Sequence, residues 1–190
     1  MMNLVCLLEE PSAEEMLREV LPRLLSDIFN DIDVKYIVFQ GKQDLEKRLE
    51  KRLKGWRAPD SVFLVLRDQD AGDCKKIKQR LMEKVKESGK EEVTLVRIAC
   101  SMLESFYLGD LNAVEKGLAL KNIAQKQNQA KYRTPDALKS AHMELSFLSN
   151  DSYSKVDGSR AIAPHLDLNG NNKSHSFNVL LDGIKRPTTL

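Results

Sequence analysis

Apolar residues along this chain keep two rhythms in turn. "NLVCLL" at 3–8, "VKYIVFQ" at 34–40, "SVFLVLR" at 61–67 and "VTLVRI" at 93–98 are short, nearly continuous apolar runs, the second rich in β-branched and aromatic residues, the pattern of buried strands. Between them the apolar positions fall three or four apart. Met16, Val20, Leu21, Leu24, Leu25 and Ile28 line one helical face, Leu45, Leu49 and Leu53 a second, and Ile77, Leu81, Met82 and Val85 a third. Ser12 with Glu15, and Ser101 with Glu104, match the capping-box spacing; Asp73 is placed to cap the third helix. The order β-α-β-α-β-α-β-α, with crossovers long enough for helices, predicts an α/β fold: a mostly parallel sheet of about four strands with helices on both faces.

From about residue 109 the rhythm weakens. "EKGLALKNIAQKQNQAKY" reads as a polar, basic helix, and "TPDALKSAHMEL" as a helix opened by Pro135. Residues 149–175 are rich in Ser, Asn, Asp and Gly and read as loops around one short turn, and "SFNVLLDGI" reads as a last helix docking back. The expected division is a core over 1–108 and a helical, loop-rich C-terminal appendage over 109–190, packed together as one domain.

Composition narrows the class. The 190 residues are 42% hydrophobic and 31% charged with a net charge of +2, which describes an ordinary globular protein and does not demand a nucleic-acid partner. Basic residues do concentrate locally, at 41–60 and 121–140. Such runs either track a phosphate backbone or form solvated helix faces. Cys6, Cys74 and Cys100 form no CxxC pair and read as free thiols in a reducing, cytoplasmic setting. No stretch approaches the roughly 18 apolar residues that cross a membrane. The P-loop, the Gly-rich dinucleotide fingerprint and the nucleophile elbow are all missing from the sequence.

The chemistry concentrates at the ends of the strands, where open parallel sheets form their sites. Glu9 and Glu10 follow the first strand, Asp68 and Asp70 the third, and Glu104 lies one turn beyond the fourth. If the first and third strands are neighbours, Glu9, Asp68 and Asp70 converge. Carboxylates so gathered suit Mg²⁺ (or Mn²⁺), hard cations that take oxygen ligands. A D-x-D at a strand end also fits a solvated loop start, and Glu104 also fits a capping box with Ser101, a role compatible with one in the site. Lys42, in the "QGK" turn, is placed to reach a substrate phosphate or to sit in solvent. Arg97, inside a strand, is placed to reach a substrate phosphate, to pair with a carboxylate of the site, or to form a structural ion pair. His142, His165 and His175 have no ligand spacing, and Trp56 reads as core.

"LVCLLEEPSAEEML", "VFQGKQDLEKRL", "VFLVLRDQDAGDCKKIK", "LVRIACSMLESFYLGD" and the tail "SHSFNVLLDGIKR" resemble successive blocks of the DUF4276 family, which is assigned to the Toprim-like superfamily. The resemblance spans nearly the whole chain. It implies a Toprim-like fold and a Mg²⁺ site for phosphodiester chemistry built from a glutamate after the first strand and a D-x-D after the third. Carried onto this chain these are Glu9, Asp68 and Asp70. OLD-type nucleases add an acid after the D-x-D, a position Glu104 matches. Many Toprim-like sequences have Gly directly after the glutamate where this chain has Glu10, so the ligand after the first strand is either Glu9 or Glu10.

Two functions follow. One is a metal-dependent nuclease cleaving DNA or RNA, the effector of a prokaryotic anti-phage defence system working with an ABC- or SMC-like ATPase partner, as the resemblance implies. The other is a non-catalytic Toprim-like subunit that binds a partner ATPase or nucleic acid.

Overall fold

The four apolar runs pair into one sheet. The computed structural model describes residues 2–27 and 29–186, so Ile28 lies outside the described residues. Strands β1 (Met2–Leu8), β2 (Ile32–Val38), β3 (Ser61–Asp68) and β4 (Thr94–Ala99) form an all-parallel sheet in the order β2-β1-β3-β4. β1 therefore lies beside β3, with Leu8 opposite both Val38 and Leu66. The chain leaves β1 in one direction, to β2, and then returns past it to β3 and β4. Right-handed crossovers then put the first connecting helix on one face and the next two on the other. The carboxyl ends of β1 and β3 flank the point where that direction reverses, where α/β sheets open a crevice.

Each face has its own core. Helices α2 (Lys42–Gly55) and α3 (Cys74–Glu87) bury Leu45, Leu49, Leu53, Ile77, Leu81 and Val85 against Val5, Leu7, Phe63, Val65 and Val96. Helix α1 (Pro11–Leu24) covers the opposite face, on Leu4, Cys6, Leu8, Leu64 and Leu66. Region 109–186 shares that second core through Leu111, Val114, Leu145, Ile162, Phe177 and Leu181. Among the described residues, no helix is long and apolar enough to cross a membrane.

Local expectations fail in instructive places. α1 begins at Pro11, which suits the first helical position, so Ser12 is inside the helix and buried. Its hydroxyl donates to Glu10 at 2.5 Å, and Glu15 pairs with Arg160 instead of closing a capping box. Ser101 does not cap α4 (Glu104–Leu108) either: it has a left-handed backbone (φ 64°) and its hydroxyl donates to the Leu138 carbonyl. Asp73 does cap α3, accepting from the Lys75 and Lys76 amides. Met82, expected on the inner face, turns outward and is 36% exposed.

Beyond β4, the expected polar helix breaks. α5 (Leu111–Gly117) ends in a reversal through Ala119 and Asn122, both at positive φ, and the Glu115 carboxylate accepts from the Ile123 and Ala124 amides to close it. A 3₁₀ turn (Ala124–Asn128) and α6 (Ala130–Arg133) follow. The helix expected from Pro135 is a 3₁₀ turn, Pro135–Ala137, and then α7 (Ala141–Leu148). The stretch read as loops contains α8 (Lys155–Ile162), and α9 (His175–Ile184) closes the fold behind its Ser174 cap. α8 escapes the periodicity because small residues let it sit close: a Cβ on Gly117 would lie 2.5 Å from the Ala161 carbonyl oxygen, and one on Gly158 2.2 Å from the Tyr153 ring.

The two sides of α3 give a direct check. Leu81→Ala should cost about 2–5 kcal/mol in denaturant unfolding, and Met82→Ala less than about 1 kcal/mol. Equal costs would mean that the helix is rotated from the orientation described.

Candidate metal centre

The strand alternation divides the carboxylates at the sheet's rim between its two faces. Arg67 faces α2, where its Nη1 donates to Glu46. Asp68, one residue on, faces the α1 and C-terminal side and is 7% exposed. Glu9 sits where β1 stops pairing. Its Oε2 accepts from the Asp68 amide at 3.0 Å, replacing the backbone acceptor that β1 no longer supplies, and lies 3.7 Å from the Arg67 Nε. Asp70 follows in a left-handed turn (φ 54°), where its Oδ2 accepts from Lys42 Nζ at 2.7 Å. The loop is pinned to its neighbour: the Asp70 amide donates to the Ser101 carbonyl at 2.8 Å, and the Ser101 amide to Gln69 Oε1 at 2.9 Å.

Asp68 instead keeps company with Glu10 and Glu104. Burial pushes its carboxyl well above the ordinary aspartate range, and the charges of Glu10, Glu9 and Glu104 push it further, against the Leu103 amide, which pulls it down. Glu9 is raised too, first by burial; the Asp68 amide opposes that rise, and Asp70 adds to it. Glu104 is buried at 1% exposure. Its Oε1 meets His142 Nδ1 at 3.3 Å and accepts from the Tyr153 hydroxyl at 3.3 Å, while its Oε2 has no hydrogen-bond partner among the described residues. Lys155 Nζ reaches in from α8, 2.9 Å from Glu10 Oε2 and 3.9 Å from Glu104 Oε1. Burial lowers the Lys155 pKa, but Glu104, Glu10 and Asp68 outweigh that and leave it raised, so the ammonium stays charged. Behind it, Tyr107 donates to Ser159 Oγ at 2.6 Å.

The expected residues therefore separate. Asp68 and Glu104 share a cluster with Glu10. Glu9 and Asp70 face Arg67 and Lys42. Arg97 is elsewhere, donating to the Val179 carbonyl at 3.2 Å and the Val96 carbonyl at 3.0 Å; it makes no ion pair among the described residues, because β4 turns it under α9 and away from the carboxylates. His165 and His175 take no part in the cluster. Sequence reading set His142 aside for want of ligand spacing and missed Tyr153 and Lys155, which reach the site from the stretch read as loops. It also passed over Arg67, whose charge inside an apolar strand was the available signal.

A hard divalent cation fits this donor set by chemistry: every donor is a carboxylate oxygen, one of them is buried without a partner, and Asp68 is crowded by Glu10, Glu9 and Glu104, with Lys155 the one ammonium that offsets them among the described residues. As placed, no group of three or more His, Cys, Asp or Glu side chains among the described residues is disposed to hold a metal ion. Lysines stand on two of the carboxylates. Lys42 is long and 47% exposed, so moving it off Asp70 costs about 1 kcal/mol or less; Lys155 faces the buried Glu104, so it leaves only when another cation takes its place.

The raised Asp68 carboxyl has a thermodynamic sign. The folded chain holds a proton that the unfolded chain releases near pH 4, so this stabilisation is present below that pH and is lost as pH rises through the folded value. In EDTA, Asp68→Asn should melt higher than wild type at pH 8, with the gap shrinking towards pH 4. A gap that does not vary with pH between 5 and 8 would contradict the crowding described.

The family model described as "Domain of unknown function (DUF4276)" matches residues 8–185, from the end of β1 to the end of α9. Comparison with curated proteins finds no match, and comparison with solved structures finds none. The matched span holds both the carboxylate-bearing strand ends and the helices that bring in His142 and Lys155, and with it the chain belongs to the DUF4276 family.

Proposed function

We propose that this protein is a divalent-metal-dependent nuclease, hydrolysing phosphodiester bonds in DNA or RNA at the carboxyl ends of β1 and β3. The observation that carries the reading is the burial of Asp68 among Glu10, Glu9 and Glu104, with Glu104 Oε2 left unpartnered. A buried group of like charges is costly unless a cation joins it. Asp68 and Glu104 would hold Mg²⁺ or Mn²⁺ with one or more of Glu9, Glu10 and Asp70. When bound, the ion supplies Lewis-acid polarisation of the phosphate and a water of lowered pKa.

The chain's own groups do the remaining work. Tyr153 and His142 orient the Glu104 carboxylate through Oε1. Lys155, released from Glu10, places an ammonium beside the reacting phosphate, where it offsets charge on the leaving oxygen. The Glu9 carboxylate fixes the Asp68 amide and so the start of the D-x-D turn. Three free cysteines fit a reducing cytoplasm. The Toprim-like resemblance extends the proposal to an effector in anti-phage defence, paired with an ABC- or SMC-like ATPase.

A specific observation favours a second reading. Lys155 and Lys42 already neutralise Glu10 and Asp70, as they would in a non-catalytic subunit whose carboxylates serve only internal ion pairs. Incubation with single- and double-stranded DNA and RNA, in Mg²⁺, Mn²⁺ or EDTA, separates the two. The nuclease reading expects metal-dependent cleavage that falls at least about a hundredfold in Asp68→Asn and in Glu104→Gln. Cleavage that survives EDTA or both substitutions would reject this centre. Absence of cleavage, with no Mn²⁺ bound by calorimetry, would favour the non-catalytic subunit.

A further inference from the structure

On the other face of the β3 terminus lies a cavity of about 250 Å³, lined by Lys42, Arg67, Lys76 and Arg80 with Asp70 and Asp73. The carboxylates of this cavity are already committed: Asp70 holds Lys42, and Asp73 caps α3. Glu46, beside the cavity, takes Arg67 Nη1 and lies 3.4 Å from Arg80 Nη2. The cations are not used up. Arg67 is 95% buried, yet its Nε has no hydrogen-bond partner among the described residues, since Glu9 at 3.7 Å is too far to accept. Lys76 makes no ion pair among the described residues. A buried guanidinium with an unused donor, an unpaired ammonium and a second guanidinium held at the long end of hydrogen bonding are suited to a phosphate, whose several oxygens take the fork of an arginine.

We propose that this cavity holds a phosphate of a polynucleotide adjacent to the one at the carboxylates. The proposal rests on the nuclease reading and adds to it a second phosphate subsite, which a chain with successive phosphates fills and a small phosphate ester does not. Asp68 and Arg67 are consecutive residues pointing to opposite faces, so a strand crossing the end of β3 presents one phosphate to each side. Arg67 and Lys42 grip from below, and Lys76 and Arg80, both exposed, close from α3.

The test is binding without catalysis. Affinity of a fluorescent single-stranded oligonucleotide is measured in EDTA over a series of salt concentrations. Lys76→Ala/Arg80→Ala, two exposed residues outside the carboxylate cluster, should weaken binding at least about fivefold and make the log–log salt slope shallower by about 0.7, as loss of one neutralised phosphate on a single strand requires. Lys51→Ala/Lys54→Ala removes the same charge from the exposed side of α2 and should leave both values near wild type. The proposal is overturned if the wild type does not bind, if the first double variant binds like wild type, or if the control loses as much. Binding through this cavity without Mg²⁺-dependent cleavage would remove the nuclease reading and leave the phosphate site; cleavage with unaltered binding in the variant would do the reverse.

Discussion

A carboxylate at the end of a buried strand, crowded by others of its kind, needs a positive charge. Asp68 is that carboxylate, and the fold around it is arranged by this need. β1 and β3 are neighbours because the connection reverses direction between β2 and β3, which brings Glu9 and Glu10 against the D-x-D turn. The C-terminal region then supplies the one ammonium on that face that reaches the cluster among the described residues, Lys155, with the His142 ring beside Glu104. Burial makes the repulsion strong, since charges shielded from water interact far more than charges on a surface.

The same alternation that turns Asp68 to one face turns Arg67 to the other. The rim of the sheet thus has an acidic side, where buried carboxylates outnumber the cations facing them, and a side where arginines and lysines border a cavity. Two adjacent residues of one strand set both. A phosphodiester chain has the matching character, with anionic groups at regular spacing that need neutralisation at one point and a grip at the next.

Much of this was legible in the residues. Continuous apolar runs separated by helical stripes were enough for the parallel sheet, and the position of acids after those runs was enough to mark its rim. Asp73 was found because a cap leaves a local signature. The capping boxes at Ser12 and Ser101 misled, because Pro11 moves the start of α1 and a left-handed turn at Ser101 redirects its hydroxyl. Spacing alone could not divide Glu9 from Glu10: they are adjacent, and which one faces Asp68 depends on where β1 stops pairing. Lys155 and Tyr153 were invisible for another reason, and His142 offered no ligand spacing. They arrive through contacts distant in sequence: His142 on α7, Tyr153 just before α8, and Lys155 at the start of α8, which packs by close approach at Gly117 and Gly158.

The most direct measurement is anomalous diffraction from a crystal of the protein grown with Mn²⁺. The account requires a peak beside Asp68 and Glu104, with the Lys155 ammonium moved off Glu10. A map without such a peak, and with Lys155 still seated between Glu10 and Glu104, would show that the lysine is the cation this cluster was built to hold.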